Sequence, residues 1–388
     1  LPNPGESFYT SSVRGTNDED MVMSRANTVL ILGAYGLAGR TIFDGLLRKT
    51  DLNVIVAGRR REKLQALVGE AGSRVELLIL DASDREALSK ACAGAGLTIN
   101  AVGPYAVHGA KIARTVIDCG SSYLDCANEQ VHYRRLKEID SAARNKGLLL
   151  ATAAGVIPGL SSLIAAKLLA GATPSCTVEI FFAQFQHAYD DSGFASIMGG
   201  VLDAGYRPVA WIDGREAPVR LGDSQKTEQF PPPFGRLRYL EAPTIDALTL
   251  PALFPVQTQR TWFYLGEQPT WMFSLIRLLQ PHKRKWAYRL IEELARPMNK
   301  IESQRARRSN LSREALLAVT VRGDGADRLG RLVLKDGAAP MNSLPVRIAQ
   351  NLLTGKLKHV GLATPLDLMT FDQLINDLDD FAMETTIR

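Results

Sequence analysis

The sequence predicts a doubly wound parallel α/β sheet in its first half. Three observations carry this: short apolar strands alternate with amphipathic helices from Thr28 to Ala154, a glycine-rich loop follows the first strand, and arginines follow the second. Apolar strands of this kind belong to parallel sheets covered by helices on both faces.

Taken in order, Thr28–Leu32 is a β-rich run, followed by GAYGLAG, and Arg40–Arg48 has helical spacing of Ile42, Leu46 and Leu47. Leu52–Ala57 is the second strand, Arg61–Ala71 the second helix and Val75–Leu80 the third strand. Asp84–Cys92 is the third helix, with Ser83 or Asp84 as its N-cap. Leu97–Val102 is a strand, Ala110–Cys119 a helix, Ser122–Asp125 a short strand, Asn128–Lys146 a polar helix and Leu148–Ala154 a further strand. Gly147–Ala166 is uncharged over a bilayer-spanning length, but Pro158-Gly159 and two serines make it a buried strand, a turn and a helix start.

The loop Gly33-Ala34-Tyr35-Gly36-Leu37-Ala38-Gly39 is G-x-x-G-x-x-G between strand and helix, the context of a Rossmann dinucleotide site. The first glycine serves the tight turn, the second lets backbone approach a pyrophosphate, and the third lets helix pack on strand. The helix N-terminus favours the phosphate charge. An NAD site wants an acid after the second strand; here Arg59 and Arg60 follow Gly58, and guanidiniums there suit the 2′-phosphate of NADP(H). Gly58 leaves room for the adenosine. Asp81 and Ala82 end the third strand, where they meet the adenine edge or, alternatively, Asp81 caps the next helix. Asn100, Val102, Gly103 and Pro104 end the fourth, beside the diphosphate and nicotinamide ribose. Tyr105 is the first candidate for proton donor or substrate anchor, His108 the second; Asn128 and Glu129 are candidates to orient the substrate's polar end.

The chain has 388 residues, 46% of them hydrophobic and 22% charged, which excludes a disordered or collagen-like chain and leaves room for two to three domains. A net charge of +5 permits anionic ligands without demanding nucleic acid. Cys92, Cys119, Cys126 and Cys176 form no CxxC or zinc spacing, so reduced thiols in a cytoplasmic protein and no metal are expected. Residues 1–24 read as a disordered tail without a signal peptide.

Further on, Thr177–Phe185 alternates as a strand, followed by His187, Asp190, Asp191 and Ser192, a solvated turn or a proton relay. Ala195–Gly205 looks helical, Ala210–Val219 a hairpin turning at Asp213-Gly214, and Phe230–Phe234 a rigid proline connector. Trp262, Trp271 and Trp286 cluster with other aromatics and cations within 258–300. They form helices packed on a second domain, a lid over an apolar substrate, or a peripheral membrane contact.

GAYGLAGR, AGRR, LDASD, NAVGPYAVHG, SYLDCANE, AAGVIPGLSS and the closing IAQNLLTGKLKHVGLATPLDL together resemble the saccharopine dehydrogenase-like oxidoreductases, well over 28–165, fairly over 340–380 and weakly over 175–340. Many members carry glycine where Asn128 stands. The resemblance implies a Rossmann NADP-binding domain made of 25–160 and 340–388, with an α+β substrate and dimerisation domain, 161–339, inserted between. It also implies a homodimer and NADPH-dependent hydride transfer to or from a C=N or activated C=C bond of a small-molecule substrate. An imine substrate with carboxylates would call on Arg207, Arg215, Arg220, Arg236 or Arg238; an enoyl substrate on an apolar slot. The other reading is a non-catalytic NADP-binding protein acting as an adaptor or at a membrane surface.

Overall fold

The computed structural model describes residues 25–69, 72–172, 175–185, 208–219, 224–264, 313–323 and 327–388, with a few positions between 278 and 293. The expected tail 1–24, the His187–Ser192 loop, the Ala195–Gly205 helix, Trp271, Arg207 and Arg220 lie outside the described residues.

The first half winds as β1 (Thr28–Leu32), α1 (Leu37–Lys49), β2 (Asn53–Gly58), α2 (Arg61–Val68), β3 (Val75–Ile79), α3 (Arg85–Ala93) and β4 (Leu97–Asn100). It continues through α4 (Ala110–Asp118), β5 (Ser122–Asp125), α5 (Gln130–Lys137), α6 (Asp140–Asn145), β6 (Leu149–Ala151) and α7 (Leu160–Leu169). All-parallel pairing gives the order β6-β5-β4-β1-β2-β3, with a seventh strand, β15 (Gly361–Ala363), beside β6. β1 shows why both faces need helices. Val29 and Ile31 pack into one hydrophobic cluster, and Leu30 and Leu32 into another on the opposite face. The helices match: α1 buries Ile42, Phe43 and Leu46, and α4 buries Ile112, Ala113, Val116 and Ile117.

The second sheet is built from β7 (Cys176–Gln184), β8 (Val209–Ile212), β9 (Arg215–Pro218), β10 (Gln225–Phe230), β11 (Gly235–Glu241), β12 (Val256–Tyr264), β13 (Ala315–Arg322), β14 (Arg328–Leu334) and β16 (Ala382–Ile387). Its main order is β10-β11-β12-β7-β13-β14-β16, with the β8–β9 hairpin on β12; only β12 and β7 run parallel. α8 (Asp246–Leu253) precedes β12, and α9 (Leu344–Leu353) returns the chain to the first sheet. One hydrophobic cluster runs from β1 and α1 through α7 to β7 and β13, so the two sheets share a core.

Several element limits differ from the sequence expectation. Helix α1 starts at Leu37 rather than Arg40, because Gly36 itself is the N-cap and the helix rises straight out of the loop. The fourth strand stops at Asn100, whose side chain turns back to accept from the Val102 N–H at 2.9 Å. The expected helix 128–146 is two helices, α5 and α6, around the buried Ile139. The strand expected over 148–154 is three residues long, because Ala153 takes a left-handed φ of 64° and turns the chain toward α7. Phe230–Phe234 is not a connector but the turn of the β10–β11 hairpin. The C-terminal β16 pairs with β14 of the second sheet, so the expected return of 340–388 to the first sheet ends before it. The β8–β9 turn follows its Asp-Gly signal, with Asp213 and Gly214 at φ 51° and 75°.

Candidate functional site

A cleft of about 1820 Å³ opens at the carboxyl ends of β1 to β4 and runs under the second sheet. One wall is the glycine loop, through Gly33, Tyr35, Gly36, Leu37 and Ala38. Gly33 sits at φ 73°, which a β-carbon would strain, and its own surroundings leave 3.0 Å to the Ala101 oxygen. Gly39 does not line the cleft. It lets α1 close down on the loop that leaves β1, where an added β-carbon would stand 2.7 Å from the Ala34 Cα. No side chain caps α1 at Gly36. Its first amides therefore remain donors at a helix N-terminus facing open space, which fits a diphosphate.

At the end of β2, Arg59 lines the cleft, while Arg60 is the residue before α2 and is not among the lining residues. The sequence treated them as a pair; the helix start separates them. Asp81 and Ala82 line the same end. The Asp81 Oδ1 accepts from the Ser83 N–H at 2.9 Å and hydroxyl at 2.7 Å. Those bonds, with Arg59 and His108 nearby, hold its carboxyl below the usual range. Asp84, not Asp81, caps α3, accepting from the Glu86 and Ala87 amides. His108 also lines the cleft, within electrostatic reach of Asp81.

Past β4, Val102, Gly103 and Tyr105 line the cleft, whereas Asn100 and Pro104 lie behind it. The Tyr105 hydroxyl donates to the Asn100 carbonyl at 3.1 Å, and burial pushes its pKa well up. As placed, Tyr105 offers the cleft its ring rather than a free proton. Glu129 accepts from the Tyr105 N–H with one oxygen and from the Asn128 N–H with the other, both at 3.1 Å. Burial raises its pKa, and it is not among the lining residues. It clamps the loop instead of reaching substrate. Asn128 is exposed in the cleft, where its amide is available to a polar group.

Sequence reasoning missed the group beneath this loop. Asp125, Tyr123 and His132 are all buried. The Asp125 carboxylate accepts from Tyr123 at 2.7 Å, Thr152 at 2.6 Å and the Ala127 N–H at 3.0 Å, and meets His132 Nε2 at 2.6 Å. The available signal was an acid closing a short apolar strand and a histidine one turn into the next helix.

The far wall comes from the turn before α7 and from the second sheet. It presents Val156, Ile157, Phe182 and Phe263, joined by Met341 from the 3-10 turn Ala339–Asn342, with Gln184 and Arg313 as polar groups. Phe182 and Phe263 meet edge to face at 6.0 Å. Of the expected carboxylate-binding arginines, Arg215, Arg236 and Arg238 are exposed and do not line the cleft. The aromatic segment expected to be helical, a lid or a membrane contact begins as a strand. Trp262 is buried in β12 and donates to Glu179 at 3.0 Å, while Trp286 is exposed. Among the described residues no group of side chains could hold a metal ion, and no helix is long and apolar enough to cross a membrane.

Residues 29–150 match the model of the saccharopine dehydrogenase NADP binding domain. A probable mitochondrial saccharopine dehydrogenase-like oxidoreductase of Arabidopsis thaliana is 29% identical over 141 residues, 33% of this chain and 31% of that protein. A trans-acting enoyl reductase of Mycobacterium leprae is 26% identical over 137 residues, 34% of this chain and 33% of that protein. These matches span about a third of the relatives' own length. The structure superposes on an apo saccharopine dehydrogenase (L-Glu forming) of Saccharomyces cerevisiae with a TM-score of 0.60 at 17% identity, covering 93% of this chain and 100% of that one, which bears on the fold. The arginine at the end of β2 agrees with the family model in naming NADP(H) as the dinucleotide. Residues 29–150 are thus similar to the NADP binding domain of the saccharopine dehydrogenases, and the fold as a whole is like that of the yeast enzyme.

Proposed function

We propose that the chain is an NADPH-dependent reductase acting on an activated C=C bond of an apolar substrate. The observation that carries this is the far wall of the cleft, where Val156, Ile157, Phe182, Phe263 and Met341 make an apolar surface with Arg313 as its one cation among the described residues of that wall. An imine formed from amino acids would bring carboxylates, and a buried carboxylate needs a partner. Of the arginines that would meet them, the described ones, Arg215, Arg236 and Arg238, lie elsewhere. The name of the enoyl-reducing relative supports the same choice.

Bound NADPH supplies a hydride. The chain's residues orient it. The glycine loop and the α1 amides hold the diphosphate, Arg59 the 2′-phosphate, and the 102–105 loop the nicotinamide ribose. Phe182 and Phe263 would offer their rings as the apolar surface for the unsaturated chain. Asn128 would donate to the activating carbonyl of the substrate, where negative charge develops during reduction. Tyr105 and Glu129 are committed to backbone partners, so the α-carbon takes its proton from water entering the open cleft.

The test is NADPH oxidation by the purified chain against 2-enoyl thioesters of increasing chain length and against α-imino acids. Turnover of enoyl substrates that improves with chain length is expected. Turnover of imino acids alone would overturn the C=C assignment. Tight NADPH binding with no turnover of either would favour the non-catalytic alternative.

A further inference from the structure

Asp125 closes β5 and His132 lies in α5; both are fully buried, and neither lines the cleft. The carboxylate takes four hydrogen bonds. Oδ1 accepts from the Thr152 hydroxyl and the Ala127 N–H, and Oδ2 from the Tyr123 hydroxyl and the His132 ring. His132 Nδ1 has no partner. It lies against Gly109, where an added β-carbon would stand 2.6 Å from it. A proton on Nδ1 would be a buried donor without an acceptor, so Nε2 is the nitrogen that carries the hydrogen facing Asp125.

Two routes lead from this pair to the cleft wall. On the first, Tyr123 accepts from the Asn100 side chain at 3.0 Å, and Asn100 accepts from the Val102 N–H. On the second, the imidazole underlies Gly109 and stands 5.7 Å from the Tyr105 ring. Val102, Gly103, Tyr105 and His108 of the intervening segment all line the cleft. We propose that Asp125 and His132 are a positioning pair that sets the pose of residues 102–109 against the nicotinamide half of the dinucleotide.

A buried charge is a poor means of stabilising a fold, since apolar residues of similar volume do that at less cost. What it does here is fix direction. With four donors pointing at it, the carboxylate commits the Tyr123 proton and so leaves that oxygen to accept from Asn100. An amide at 125 brings two donors of its own. With its oxygen on the Ala127 side, its NH₂ faces Tyr123 and His132, and the Tyr123 proton has no acceptor.

The proposal rests on the cleft being the NADPH site. Its test compares the full chain with Asp125→Asn, Gly109→Ala and Leu136→Ala. Leu136 is a buried apolar α5 residue that takes no part in the hydrogen bonds of Asp125 and serves as the packing control. NADPH affinity is read by nucleotide fluorescence, thermal midpoint by circular dichroism, and the His132 tautomer by imidazole nitrogen NMR with and without NADPH. Asp125→Asn and Gly109→Ala are expected to weaken NADPH binding on the order of tenfold, because the segment is displaced. The His132 signals should shift on NADPH addition in the wild-type chain. Leu136→Ala should lower the midpoint and leave affinity unchanged. Should Asp125→Asn fail to fold, Gly109→Ala decides, since it keeps every ionisable group. Wild-type affinity in the folded variants, or a loss that merely tracks the midpoint as in Leu136→Ala, would overturn the pair. Wild-type protein that does not bind NADPH would instead overturn the reading of the cleft, and the pair with it.

Discussion

The ring of Tyr35 occupies the space that a side chain at residue 58 would need: a β-carbon on Gly58 would stand 2.5 Å from Tyr35 Cε1. Tyr35 belongs to the glycine loop, Gly58 ends β2, and both line the cleft. Lys63 holds the ring from outside, its Nζ 5.6 Å from the centroid. The sequence suggested that Gly58 makes room for the adenosine; the structure gives that room to Tyr35. Gly58→Ala should push the ring toward the bound nucleotide and weaken NADPH binding by about tenfold, ~1.4 kcal/mol. The partner variant Tyr35→Ala removes the clash, so Gly58→Ala added to it should cost almost nothing more. Additive losses in this double-mutant cycle would refute the contact as the cause.

Arg59 and Arg60 are adjacent in sequence but unequal in place. Arg59 lines the cleft; Arg60 stands before α2 and does not. A guanidinium on a phosphate is a charge-assisted pair of about 1.5–3 kcal/mol. Arg59→Ala should therefore remove most of the preference for NADPH over NADH, a loss on the order of tenfold to a hundredfold. Arg60→Ala should leave most of it. Competitive titration with the two nucleotides measures both, and equal effects would show that Arg60 swings into the site.

The dinucleotide half was legible because its residues answer to local chemistry. A glycine that must turn, a glycine that must let helix touch strand, and an arginine where an acid would serve NAD are each readable from spacing alone. The candidates past β4 were not. Tyr105 and Glu129 are of the right type in the right loop, but their atoms are spent on the Asn100 carbonyl and on two backbone amides. Which partner a polar atom takes is decided by tertiary packing. Asp125 and His132 were unread for the same reason, being brought together by the step from β5 to α5. In the second domain, the aromatic cluster suggested a helix or a lid because tryptophan counts carry no period. Only the parallel pairing of β12 with β7 shows that Trp262 is core.

Asp81 and Asp84 divide two tasks that the sequence left open between them. Asp84 caps α3, so Asp84→Ala should cost about 1 kcal/mol of stability and leave NADPH affinity unchanged. Asp81 lines the cleft and bonds only Ser83, so Asp81→Ala should change nucleotide affinity and leave the unfolding midpoint nearly alone. Chemical denaturation and nucleotide titration of the two variants separate the roles; the reverse pattern would return the cap to Asp81.

Two buried aspartates should give stability opposite dependences on pH. Burial alone would raise the Asp125 pKa, but His132, Thr152 and the Ala127 N–H outweigh it and hold the carboxyl below its ordinary 3.8. For such a group the unfolded chain binds the proton first. The stabilisation is fully present above the unfolded value and is lost as pH falls through the lower, folded one. The stability gap between wild type and Asp125→Asn should therefore narrow as pH drops below 3.8. At Asp246 burial prevails over the hydroxyls of Ser162, Ser161 and Thr244 and raises the pKa above 3.8. There the folded chain holds the proton longer, so stability is lost as pH rises from 3.8 through the folded value. Relative to Asp246→Asn, the wild type should gain stability as the solution is acidified. Denaturant midpoints across the acid range measure both gaps. Parallel movement of the two would mean that Asp125 is not held as an anion, and that the hydrogen bonds of Tyr123 and His132 run to a neutral acid.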